Sequence, residues 1–180
     1  MHLAGGISMS LHNRILKTVV NTIDTLSRVI GKAVSYIILV TIAATVIEVC
    51  ARYVFSSPTV WAYEIEMFTC GVLYVLVGAY VQLDKSHVNV DIIYQTFGKK
   101  LQRFFRLTVN FPLILIFSAS LTYMGADYAL TSIQMWERSY TSWAPFVWPV
   151  KLMLPIGSFF LMLQAISDFL RDLFQMEGEV

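Results

Sequence analysis

Charge is scarce in this sequence. Asp, Glu, Lys and Arg make up 14% of the 180 residues, against roughly a quarter in an average soluble domain. Hydrophobic residues reach 57% and the mean hydropathy is +0.64. So few charges cannot cover the apolar surface of an ordinary water-soluble domain, which excludes that class. Two cysteines exclude a disulfide scaffold, and nine glycines exclude a collagen-like fibre. An aromatic content of 14% excludes disorder. A net charge of +1 gives no pull towards nucleic acid. What remains is a membrane protein.

Reaction chemistry is missing too. The histidines are His2, His12 and His87, all outside the apolar runs, so haem held between helices would lack its ligands. Cys50 and Cys70 have no metal-ligand companions and read as small buried residues. No Walker loop, GxSxG or HExxH pattern occurs. Neither an enzyme nor a cofactor is expected.

Four stretches contain no Asp, Glu, Lys or Arg: 33–47, 67–83, 107–126 and 152–167, the last extended forward by the uncharged 146–150. A helix rising 1.5 Å per residue needs about 20 residues to cross a ~30 Å hydrocarbon layer. Lipid-exposed backbone must satisfy its own hydrogen bonds, so helices are the expected form. The fold class is therefore an all-α membrane protein with four transmembrane helices, at about 30–51, 64–83, 106–128 and 147–168. These form one domain over 29–170, after a lead and amphipathic segment at 1–28 and before a tail at 171–180. The first run does not read as a cleaved leader: it begins about thirty residues in and no small-residue cleavage site follows.

Cations set the expected orientation. Arg14, Lys17, Arg28 and Lys32 precede the first span, and Lys85, Lys99, Lys100, Arg103 and Arg106 lie between the second and third. The other connections hold only Arg52, then Arg138 and Lys151. Both termini and the middle connection are thus expected in the cytoplasm. Amphipathic surface helices are expected there, over 10–28, where Leu11, Ile15, Val19, Ile23 and Leu26 share helical spacing, and over 88–105.

The span centres are bare of ionisable groups. Glu48, Arg52, Glu64, Glu66, Asp127 and Lys151 fall near the outer ends, where a charge costs less than at mid-membrane. Glu48 and Arg52, four apart, share a helix face and can pair. Tyr53, Phe55, Trp61, Tyr63, Trp136, Tyr140, Trp143, Phe146 and Trp148 form an aromatic belt on that side. Gly71, Gly78, Ala79, Ser118 and Ser120 are the small residues placed at helix contacts.

Certain motifs resemble a family. The stretch from Arg52 through Pro58 and Trp61 to Glu64 resembles the first connection in small membrane subunits of tripartite ATP-independent periplasmic (TRAP) transporters, the DctQ family. His87 to Asp91 (HVNVD) is similar to the motif that follows that family's second span. Trp143 to Gly157 (WAPFVWPVKLMLPIG), with Pro155 and Gly157 and then Gln164, resembles its entry into span four. Lys151 departs from the pattern and takes no family role. The resemblance implies a subunit of the bacterial inner membrane that packs against a large membrane subunit. That subunit carries the substrate and sodium sites, and a periplasmic substrate-binding protein delivers an organic acid such as a dicarboxylate, keto acid or sialic acid. On that reading the span faces are scaffold, in contact with membrane lipids. Arg52 with Glu48 or Glu64 fixes the outer loop, and His87 and Asp91 cap the cytoplasmic turn. Two rivals stand beside it: the small subunit of a tripartite tricarboxylate transporter, and a self-contained four-helix exporter. The exporter needs a glutamate deep in the first span, whereas Glu48 sits near its end.

Overall fold

The computed structural model describes residues 3–84, 98, 101 and 104–173. Five α-helices carry them: α1 (Leu3–Ser35), α2 (Ile37–Tyr53), α3 (Ala62–Leu83), α4 (Phe111–Gln134) and α5 (Trp148–Leu173), with a π-helical turn, Arg106–Asn110, leading into α4. Among the described residues there is no strand, only an isolated bridge between Arg138 and Phe146. Four helical stretches among the described residues are long and apolar enough to cross a membrane: Leu16–Tyr53, Ala62–Leu83, Leu107–Gln134 and Trp148–Leu173. The chain is an all-α membrane protein. His87, Asp91 and most of the surface helix expected over 88–105 lie outside the described residues, as does the end of the tail.

Local chemistry explains where the helices stop. α2 ends just before Ser56, which takes a φ of 51°, and Pro58. α3 opens with Glu64 in its first turn, where a carboxylate suits the helix dipole. Pro112 sits in the first turn of α4, a place that needs no N–H donor. The far end of α4 closes in a Schellman arrangement: Glu137 N–H bonds Ser132 O and Trp136 N–H bonds Ile133 O, both at 3.1 Å. Trp136 occupies the left-handed position with φ 47°, which glycine normally takes.

No proline or turn cluster separates 10–28 from the first span, and the helix runs through residue 28 without a break. A single turn residue, Tyr36, divides α1 from α2. The 38 residues of Leu16–Tyr53 would extend about 57 Å, nearly twice the hydrocarbon thickness. Much of α1 must therefore lie beyond that layer or along its surface.

The spans do not close into a four-helix bundle. α3 packs on α2 and α5, and α5 on α3 and α4, whereas α2 and α4 make at most a marginal contact. The result is an open row, α2–α3–α5–α4, with α1 packed against α3 and α5. Because lipid gives helices no hydrophobic drive to associate, these contacts depend on close approach. A Cβ on Gly157 would lie 2.7 Å from the Val75 carbonyl oxygen, so α5 meets the backbone of α3 directly. A Cβ on Gly31 would fall on the Tyr80 side chain, so this glycine of α1 makes room for a ring from α3. α4 turns Ser118, Gly125, Ala129 and Ser132 inward, and Phe111 stacks on Phe169 at 4.1 Å. Of the small residues expected at contacts, Ala79 and Ser118 are fully buried and Gly71 approaches Val150. Gly78 faces open space and Ser120 is exposed.

Candidate functional site

Polar side chains gather in two layers, at opposite ends of the row. The first lies at the loop end, where residues 54–61 and 135–147 connect the helices. Glu48 Oε1 accepts from Arg52 Nε at 2.9 Å and from Arg52 Nη2, one turn along the same helix. Glu48 Oε2 accepts from the Thr59 backbone N–H at 2.9 Å and from the Thr59 hydroxyl, which pins the first connection to α2. Of the two partners expected for Arg52, the structure gives Glu48.

Glu64 is used differently. Fully buried at the start of α3, it accepts from Ser139 Oγ at 2.6 Å and from the Thr141 hydroxyl. Its second oxygen is buried with no partner among the described residues. The segment that carries Ser139 and Thr141 is folded on itself. Ser139 N–H bonds Pro145 O at 2.9 Å, Val147 N–H bonds Glu137 O at 3.1 Å, and the Arg138 guanidinium lies 4.2 Å from the Phe146 ring centre. Lys151 Nζ donates to Glu137 Oε2 at 2.5 Å and sits 3.9 Å from the Tyr128 ring centre. That ammonium holds the Glu137 carboxyl below the ordinary glutamate range. Lys151, left without a family role by the sequence, therefore ties α5 to the end of α4. Deeper in the row, Thr41 and Thr69 hydroxyls meet at 2.7 Å, and Thr45 bonds Glu66.

The second layer lies at the tail end and is centred on Gln164, fully buried in α5. Gln164 Oε1 accepts from Ser27 Oγ at 2.7 Å, and its Nε2 donates to Asp24 Oδ1 at 3.1 Å and to Asp168 Oδ1 at 3.4 Å. Ser167 Oγ donates to Asp24 Oδ1 at 3.2 Å, Arg171 pairs with Asp24 Oδ2, and Gln82 Nε2 donates to Asp168 Oδ2 at 3.0 Å. Three helices, α1, α3 and α5, are thereby joined. Both oxygens of each aspartate are engaged, which is what two carboxylates removed from water require.

The remaining sequence-selected residues scatter. Pro58 and Trp143 are exposed, Trp61 and Pro155 half-buried, and Gly157 is the contact with Val75. Sequence reasoning missed Asp24, Ser27, Asp168, Arg171, Ser139 and Thr141. One signal was available: Val20, Asp24, Ser27, Gly31 and Val34, which are buried on α1, recur every three or four positions. Among the described residues no three His, Cys, Asp or Glu side chains converge as a metal site. Chemically, the two layers can hold helices and connections in place.

A family model described as tripartite ATP-independent periplasmic transporters, DctQ component, matches residues 41–175. No curated protein matches the chain.

Proposed function

Since this chain belongs to the DctQ family, and is thus a small component of a TRAP transporter and not an enzyme, we propose that it braces the large membrane subunit during sodium-coupled uptake of an organic acid. The loop end faces the periplasm, the termini and the middle connection lie in the cytoplasm, and the membrane is the bacterial inner membrane. The periplasmic substrate-binding protein delivers its cargo to the assembled complex, and specificity resides in those partners.

The open row supports this reading most. A self-contained carrier encloses a path between its own helices, whereas, among the described residues, α2–α3–α5–α4 leaves its edges and one broad face without a helix packed against them. A mobile element that slides through the bilayer needs a flank that does not tilt with it. The long α1–α2 helix, clamped by the Gln164 layer, and the Glu64 and Glu48 ties at the loops stiffen such a flank.

Reconstitution tests the proposal. Proteoliposomes holding this chain alone are expected to take up no dicarboxylate, keto acid or sialic acid under a sodium gradient. Addition of the large subunit and the binding protein is expected to give sodium-dependent uptake of one of them. Transport by the chain alone would overturn the scaffold reading.

A further inference from the structure

The two edges of the row present different chemistry to the bilayer. α2 exposes Ile38, Leu39, Ile42, Val46 and Val49. Its exposed Thr45 bonds Thr41 O at 2.9 Å as well as Glu66, so this face offers acyl chains little unmet polarity. α4 behaves otherwise. Its side opposite α5 carries Ile116, Ser120, Tyr123, Asp127 and Thr131, spaced by three or four residues and all exposed, with Tyr123 at 81%. Asp127 makes no hydrogen bond or ion pair among the described residues.

The level of that carboxylate on the helix gives it its meaning. It precedes Gln134, the last residue of α4, by seven positions, or about 10 Å along the axis. Aspartate is too short to reach back to water as Lys or Arg can. Near the outer end of the span a charge costs less than at mid-membrane, yet one turned towards acyl chains with no partner is still unfavourable, and such groups normally face a partner or a cavity. Tyr123 lies another turn down and brings a phenol to the middle of the span. An edge built for lipid has no use for either group.

We propose that this face of α4 is the seat of the large membrane subunit, which sets a cationic side chain against Asp127. The assignment rests on the scaffold reading above and adds the face and the charge that the partner must carry. Lipid then covers the apolar edge of α2.

Photocrosslinking in the assembled complex tests it. A benzoylphenylalanine is placed at Tyr123 or, as control, at Val46, and the complex is purified from cells expressing all subunits from their native locus. The expected result is an adduct with the large subunit at least about tenfold stronger from 123 than from 46. Asp127→Lys is expected to cut recovery of the large subunit about tenfold, while the thermal midpoint of the small subunit alone stays unchanged. Equal labelling from both positions, stronger labelling from 46, an adduct of twice the chain's mass, or labelling of lipid alone from 123 would overturn the assignment. So would unchanged recovery with Asp127→Lys. If the unmodified small subunit recovers no large subunit at all, the scaffold reading itself fails and the face assignment falls with it. Recovery of the large subunit without an adduct from 123 sinks only the assignment.

Discussion

The loop-end and tail-end layers use similar side chains for different purposes. At the loop end, Glu48 holds Arg52 one turn away and Thr59 in the adjoining connection, and Glu64 holds Ser139 and Thr141 in another. These bonds fasten connections to helix ends. At the tail end, Gln164 and its neighbours join α1 to α5 across 137 to 147 residues of sequence. Those bonds fix helices against each other. One layer shapes the surface that faces out of the row; the other sets the angle at which the long α1 meets the spans.

The sharpest way to break the loop-end layer is to strip the donors from Glu64. Ser139→Ala with Thr141→Val leaves a fully buried carboxylate with no donor, and is expected to destabilise the subunit by about 3 kcal/mol or more. Glu64→Gln is expected to cost much less, because its amide oxygen still accepts from both hydroxyls. Thermal unfolding of the purified subunit in detergent compares the two. An equal loss from both would mean that the charge, not its desolvation, carries the effect.

Attacking the tail-end layer should cost somewhat less. Asp24→Ala removes the acceptor of Gln164, Ser167 and Arg171 together, an expected loss of about 2 kcal/mol. The diagnostic readout is positional: a distance label pair between α1 and α3 should broaden with Asp24→Ala and stay narrow with the Ser139/Thr141 double variant. If both variants loosen α1 alike, the division of labour between the layers is wrong.

The contrast also explains what could be read from the chain. Charge-free runs reveal the spans because the bilayer imposes a length and a composition on each helix separately. Glu48 and Arg52 are legible because a four-residue spacing on a helix is a distance in space. Asp24 and Gln164 are not, since their meeting depends on how α1 and α5 lie together, which no local pattern encodes. Asp24 sits among Arg14 and Lys17 as one more polar residue of an amphipathic stretch, yet it is 7% exposed. Glu64 was open to Arg52 as a partner in sequence; the nearer Glu48 takes Arg52, and a connection some 75 residues away supplies Ser139. The open order of the row is equally invisible, because four apolar helices of similar length pack in many ways.

A milder probe sharpens the loop-end side through pH. The Glu137 carboxyl, held below its ordinary range by Lys151, stabilises the fold when ionised. A depressed carboxylate gives its full contribution above the unfolded glutamate range and loses it as pH falls through the lower folded value. The Glu137 contribution should therefore be level through neutral pH and decline only in acid, on the low side of the usual glutamate range. Lys151→Met is expected to flatten that acid limb; an unaltered limb would assign it to another carboxylate.

The smallest effect belongs to Arg52, the pair most conspicuous in the sequence. Its side chain is 55% exposed, and its partner Glu48 lies one turn back. Exposed pairs with this spacing contribute about 0.3–0.5 kcal/mol, because water and salt screen the attraction and ordering two long side chains opposes it. Arg52→Ala is therefore expected to leave the thermal midpoint of the subunit nearly unmoved, with Thr59 still bonded to Glu48. What it removes is an exposed cation at the rim of the loop end, so its measurable consequence should appear in the yield of assembled complex rather than in substrate affinity or sodium coupling. Titrating uptake against substrate and sodium in complexes matched for subunit content separates these outcomes. Loss of sodium dependence with assembly intact would place Arg52 in the transport cycle and move the loop-end layer from support to mechanism.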